Sequence, residues 1–142
     1  MIIGRRSNPG SKGQSLVEFV LILPVLLLLL LGIVEFGLLL YNQHVITNAS
    51  REGARYGIVS RTPRRSYDEI KAVVDSYCQD HLVTFGDQAP ETAVSPSPTG
   101  GAFGEDLTVL VTFRYQFLVL PQFLGDLTGI TDLQATTMMK YE

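Results

Sequence analysis

Between Phe19 and Tyr41 the sequence leaves the chain little choice of solvent. Phe19 to Val34 is sixteen residues without a charge, and Phe36 to Tyr41 adds six in which only Gly37 is not bulky; Glu35 alone interrupts. Written as one helix, the stretch is about 34 Å long at about 1.5 Å per residue. A hydrocarbon core of about 30 Å accepts such a helix with slight tilt. Tyr41 closes the run where an interfacial aromatic belongs. The stretch therefore predicts a transmembrane helix. A secretory signal peptide is a poorer account, because its apolar region spans about 7–15 residues and ends in a small-residue cleavage site. No such site follows Tyr41. A buried core helix is poorer still: Leu26 to Leu31 is apolar all round, with no polar face.

The 142 residues leave room for one domain beside this anchor. A domain of roughly 100 residues buries a modest core and gains from a partner or a membrane. The formal net charge of -3 is unevenly spread. Residues 1–13 carry Arg5, Arg6 and Lys12 and no acid. Residues 51–71 carry Arg51, Arg55, Arg61, Arg64, Arg65 and Lys71 against Glu52, Asp68 and Glu69. From Asp75 to Glu142 there are nine acids and only Arg114 and Lys140. The chain is thus basic on both sides of the apolar run, which suits anionic lipid headgroups. The basic stretch is short and lacks interleaved aromatics, so nucleic acid is not an expected partner. The wholly basic leader favours a cytoplasmic N-terminus, although Arg51 and Arg55 dilute that bias.

Two carboxylates flank or enter the run. Glu18 stands at its start, where a helix N-terminus favours negative charge. Glu35 lies in its second half, where a charge is expensive and usually faces a partner or other protein. The expectation for Glu35 is protonation, or a side chain that snorkels toward the outer headgroups. Pro24 removes one N–H and weakens or kinks the helix near Val20, which membrane helices tolerate.

These residues resemble the TadE-like family of pseudopilins from tight-adherence (Flp-type) pilus systems. The resemblance rests on Gly13-Gln-Ser-Leu-Val-Glu18-Phe19, the apolar run with Pro24, Gly32-Ile-Val-Glu35-Phe-Gly37, and Asn48-Ala-Ser-Arg-Glu-Gly-Ala-Arg-Tyr56. It covers about residues 13–57. Leu133 to Glu142 also looks like the family's C-terminal strand. The resemblance implies cleavage by a prepilin peptidase between Gly13 and Gln14, making Glu18 the fifth residue of the mature chain. A new amine on Gln14, supplied by a neighbouring subunit, would then pair with Glu18 and set the axial register of assembly. It further implies a minor pilin or assembly factor in the cytoplasmic membrane, with the leader cytoplasmic, the domain extracytoplasmic and a place in the extracellular pilus open. The implied partners are a prepilin peptidase, other pilins or pseudopilins, the pilus assembly platform and membrane lipid.

Beyond the anchor, Asn42 to Ile58 has no proline, and Val45, Ala49 and Gly53 recur every four residues beside Ile46, Ala54 and Gly57. This stripe of small and apolar residues predicts that the helix continues and packs closely on another element. Ser50, Gly53 and Gly57 weaken it in isolation, so its stability must come from packing. Pro63 ends it. Ser66 and Glu69 form an expected capping box for a second helix, with Ile70, Val73, Val74, Tyr77, Cys78 and His81 at helical spacing, ending near Phe85-Gly86. Thr92 to Ser95 is an expected strand, and Pro96 to Gly104 an expected hairpin loop. Leu107 to Phe117 alternates like a half-buried strand. Leu118 to Leu127 reads as an irregular connection or short helix, and Thr131 to Tyr141 as a last strand. The expected fold is α+β and pilin-like: a long N-terminal transmembrane helix, a second helix and a small antiparallel sheet of three strands. The expected organisation is a basic leader at 1–13, the membrane helix and its extension at 14–58, and an extracytoplasmic domain at 59–142.

Enzymatic chemistry is not expected. No phosphate-binding glycine loop, zinc spacing or nucleophile elbow occurs. His44 and His81 lack the Cys or carboxylate spacing of a metal site, so no metal or cofactor is expected. Cys78 is alone and reads as a small buried apolar residue. The competing functional expectation is a single-pass, membrane-anchored extracytoplasmic binding domain unrelated to pili, which keeps its basic leader as a cytoplasmic tail.

Overall fold

In a computed structural model of the chain, residues 9–84, 92–117 and 130–142 are described. They form a long helix α1 (Pro9–Ile58), a helix α2 (Tyr67–His81) and strands β1 (Thr92–Ser97), β2 (Asp106–Gln116) and β3 (Ile130–Lys140). The fold is α+β, with one long apolar N-terminal helix, a second helix and a three-stranded antiparallel sheet in the order β1-β2-β3. The leader residues before Pro9, residues 85–91 and the connection at 118–127 lie outside the described residues. The chain divides into two compact units, the first ending at Val34 and the second comprising Glu35–Glu142.

The second unit is built on the sheet and the later part of α1. Along α1 the buried residues are Glu35, Asn42, Val45, Ile46, Ala49, Ser50, Gly53, Ala54 and Gly57. Their spacing of three or four is the stripe that the small and apolar residues announce. It packs on Ile70, Val74 and Cys78 of α2 and on the inner face of the sheet, where Leu107, Val109, Val111, Phe113 and Tyr115 alternate with half-buried or exposed residues. Each aliphatic side chain buried here contributes about 1.5–3 kcal/mol. The approach is close enough to need glycine at two positions. A Cβ on Gly53 would lie 2.4 Å from Val74 Cγ2, and one on Gly57 would lie 2.4 Å from Leu107 Cδ2. β3 joins the helix through polar contacts: Ser50 Oγ and Thr137 Oγ1 are 2.7 Å apart, and Gln43 Nε2 donates to Gln134 O at 2.9 Å.

The capping box of α2 is present as expected. The Glu69 N–H donates to Ser66 Oγ at 3.3 Å, and the Ser66 N–H donates to Glu69 Oε2 at 2.9 Å. Two boundaries differ from the sequence expectation. α2 stops at His81, and Leu82 is already extended, because the next residue, Val83, is held by a side chain of α1 described below. His81 is exposed rather than on the buried face; its ring stacks on Tyr77 at 4.4 Å. β1 runs on through Pro96, opposite Val109, to Ser97, opposite Thr108. β1 lies at an edge of the sheet among the described residues, where alternate N–H groups have no ladder partner and proline is tolerated. Cys78 is buried with a free thiol.

Candidate functional site

The first unit contains Gly13, Gln14 and Glu18, the three site residues that the sequence resemblance implies. α1 is helical across Gly13 and Gln14 and continues through Pro24. A Cβ on Gly13 would meet nothing within 4 Å, so packing does not require glycine there. Gln14 and Glu18 are both exposed and one turn apart, and Gln14 Nε2 donates to Glu18 Oε1 at 3.3 Å. That hydrogen bond joins two of the three expected site residues. Gly13 adjoins them through the backbone alone.

From Phe19 to Val34 the apolar run is not buried by any described residue. The helix contains a window of mean hydropathy 3.0 of which none is buried. Leu16 is 65% exposed, and Val25, Leu29 and Ile33 also point outward. A core helix would be covered by its own domain; no described residue covers this surface, and its length and apolarity suit a bilayer. The chain thus carries a single N-terminal anchor of membrane-spanning type among the described residues.

Of the expectations for Glu35, the snorkelling one is not met. It is only 2% exposed, and the Tyr115 hydroxyl donates to its main-chain oxygen at 3.5 Å. The folded unit, not a snorkelling path to the headgroups, is what surrounds this residue. The general rule that a carboxylate in an apolar helix faces other protein holds here, and the protein it faces is its own sheet.

Two features of the second unit carry no sequence signal. Asn42 is fully buried and clasps the chain after α2: its Nδ2 donates to Val83 O at 2.9 Å, and the Val83 N–H donates to its Oδ1 at 3.0 Å. The partners are 41 residues apart, and only the polarity of Asn42 at the end of an apolar run hints at a role. The second feature is an open groove between α1 and α2, lined by Tyr56, Val73, Tyr77, Glu52 and Glu69 among others. The carboxylates are held by cations. Arg55 donates to Glu52 through Nη2 at 2.7 Å and Nε at 3.1 Å, and this partner lowers the Glu52 pKa. Glu69 is also held below the usual carboxylate range, first by the Ser66 N–H and then by Arg61 and Arg65. The Arg65 guanidinium lies over the Tyr56 ring at 4.1 Å. Among the described residues no group of three or more His, Cys, Asp or Glu is placed to hold a metal ion.

An exposed apolar stretch of helix and, later in the same helix, a stripe packed on a small sheet form the arrangement against which known proteins can be compared. Residues 13–55 match the family model of TadE-like proteins. The match begins at Gly13, takes in Gln14, Glu18 and Glu35, and ends within the buried stripe of α1. No curated protein and no solved structure matches the chain.

Proposed function

We propose that the chain is a TadE-like minor pseudopilin that acts in assembling or priming a tight-adherence pilus after prepilin peptidase removes residues 1–13. The observation that carries this reading is the position of the family match, which starts at Gly13 and takes in the apolar stretch from Phe19 to Val34, none of which is buried by the described residues. Cutting between Gly13 and Gln14 turns an interior helical position into a helix N-terminus with a charged amine. Glu18 then lies one turn into the new helix, near the positive end of its dipole. In an apolar surrounding that carboxylate favours a cationic partner, and the amine of a neighbouring subunit is one. The basic leader stays in the cytoplasm, and the second unit is extracytoplasmic.

Recovery of the processed protein from native membranes by mild solubilisation and affinity capture tests the assembly role. The expected companions are other pilins and components of the assembly platform, and Glu18→Ala reduces their recovery without changing the amount of protein in the membrane. Capture of the processed chain with no pilin or pilus component, in cells making pili, contradicts the proposal. That result favours a membrane-anchored binding domain unrelated to pili.

A further inference from the structure

The apolar surface of α1 does not stop where the folded unit begins. Within Glu35–Tyr41, Phe36 is 57% exposed, Leu40 65% and Tyr41 46%. The other side of the same turns is covered: Glu35 and Asn42 are buried, and Leu39 packs against the core. Two turns of helix thus have one side inside the folded unit and the other side open and apolar. Three large exposed apolar residues in one place mark a surface that another apolar phase covers.

The end of the sheet stands at the same level. The Tyr115 hydroxyl reaches the main-chain oxygen of Glu35, and the Phe117 ring lies edge-on to Tyr115 at 5.3 Å, itself only half-buried. From Glu35 to Tyr41 the helix rises about 9 Å. On the open side the first charged or titratable groups after Tyr41 are His44 and then Arg51, both exposed. Such groups, with Tyr41 just before them, mark the headgroup level.

We infer that the folded unit is seated in the lipid surface: Phe36, Leu40, Tyr41 and the Tyr115–Phe117 end of the sheet lie within the outer headgroup layer, and Glu35 lies below it. The inference rests on the membrane-anchor reading of the apolar run. Its occupant is lipid, because on the exposed side these residues continue the membrane-spanning run without a polar break, the interrupting Glu35 being buried on the other side. The arrangement accounts for a carboxylate inside an apolar run. At the depth of Glu35 the bilayer offers neither water nor counter-charge, and the end of the sheet covers the residue instead.

The chain has no tryptophan, so single-tryptophan variants of the full-length protein report position directly. They are reconstituted in phosphatidylcholine vesicles with bromine placed either near the headgroup or near the chain end. Leu27→Trp reports the span, Leu40→Trp and Phe117→Trp report the inference, and Phe103→Trp, at a side chain 84% exposed in the β1–β2 loop, reports water. The expected result is that Leu27→Trp is quenched by deep bromine. Leu40→Trp and Phe117→Trp should lose most of their emission to shallow bromine, and Phe103→Trp should keep its emission. Leu40 is outside the core, so its variant gives a reading even if Phe117→Trp perturbs packing. Quenching of Leu27→Trp with red-shifted, unquenched emission from Leu40→Trp overturns the inference and leaves the anchor standing. Quenching of Leu40→Trp with none from a folded Phe117→Trp overturns the placement of the sheet. Quenching of Phe103→Trp overturns the seating by one end. An unquenched Leu27→Trp removes the anchor itself.

Discussion

The Asn42 carboxamide and the Val83 backbone exchange two hydrogen bonds, at 2.9 and 3.0 Å, across 41 residues of sequence. The pair imitates the reciprocal bonding of two peptide groups and ties the segment after α2 to the base of the domain helix. Asn42→Ala removes both bonds and leaves the Val83 N–H and C=O without their partner. The expected loss is about 2 kcal/mol, since an unsatisfied buried group costs about 1–3 kcal/mol. Asn42→Asp keeps an acceptor for the N–H but sets a carboxylate against the Val83 carbonyl, and is expected to be no better than Asn42→Ala at neutral pH. Denaturant unfolding of the full-length protein in detergent micelles measures both.

Glycine at positions 53 and 57 is a matter of space. Alanine is the better helix former by about 1 kcal/mol. Yet a Cβ at position 53 comes within 2.4 Å of a Val74 methyl that cannot swing away freely. Gly53→Ala is therefore expected to destabilise by about 1–3 kcal/mol through overpacking. At position 37 a Cβ meets nothing within 4 Å. Gly37→Ala is expected to be neutral or stabilising, and the opposite signs of the two variants in one unfolding assay test the packing of α1.

Much of this architecture is legible in the sequence because it is local. The capping box needs only Ser66 and Glu69. The stripe from Val45 to Gly57 and the alternation from Leu107 to Tyr115 are periodic patterns that report their own buried faces. What escaped is set by distant residues. The end of α2 is an example: helical spacing carries on toward Phe85, but Asn42 captures Val83 and forces Leu82 out of the helix. Pro96 reads locally as a loop residue and sits in a strand because β1 has one partner. Glu35 reads as a costly carboxylate in need of a partner, but nothing local shows that the end of the sheet, some 80 residues on, covers it. Of the candidate site, Gly13, Gln14 and Glu18 are visible as a motif, whereas the cover over Glu35 is a tertiary fact.

Acid is expected to loosen the start of α2. The folded pKa of Glu69 is lowered, so its contribution to stability is complete above the unfolded value of about 4.3. That contribution is lost as pH falls through the lower folded value. Melting temperature should therefore fall from about pH 5 to about pH 3 more steeply in the wild type than in Glu69→Gln. Ser66→Ala, which removes the cap itself, is expected to cost about 1 kcal/mol at neutral pH.

Burial raises the Cys78 pKa to about 11, so the folded protein presents neither a thiolate nor an accessible sulfur at pH 8. Maleimide labelling is expected to be negligible in the folded chain and complete in denaturant. Rapid labelling without denaturant would mean that α2 does not hold its place on the sheet.

The account stands or falls on where the mature chain begins. The most direct measurement is N-terminal and intact-mass analysis of the protein from its native membrane, beside Gly13→Ala. A Cβ at position 13 meets nothing, so this variant leaves the fold intact and reads peptidase recognition alone. The account predicts a mature end at Gln14 that is lost in Gly13→Ala. A chain that still carries residues 1–13, in cells whose prepilin peptidase is active, contradicts it.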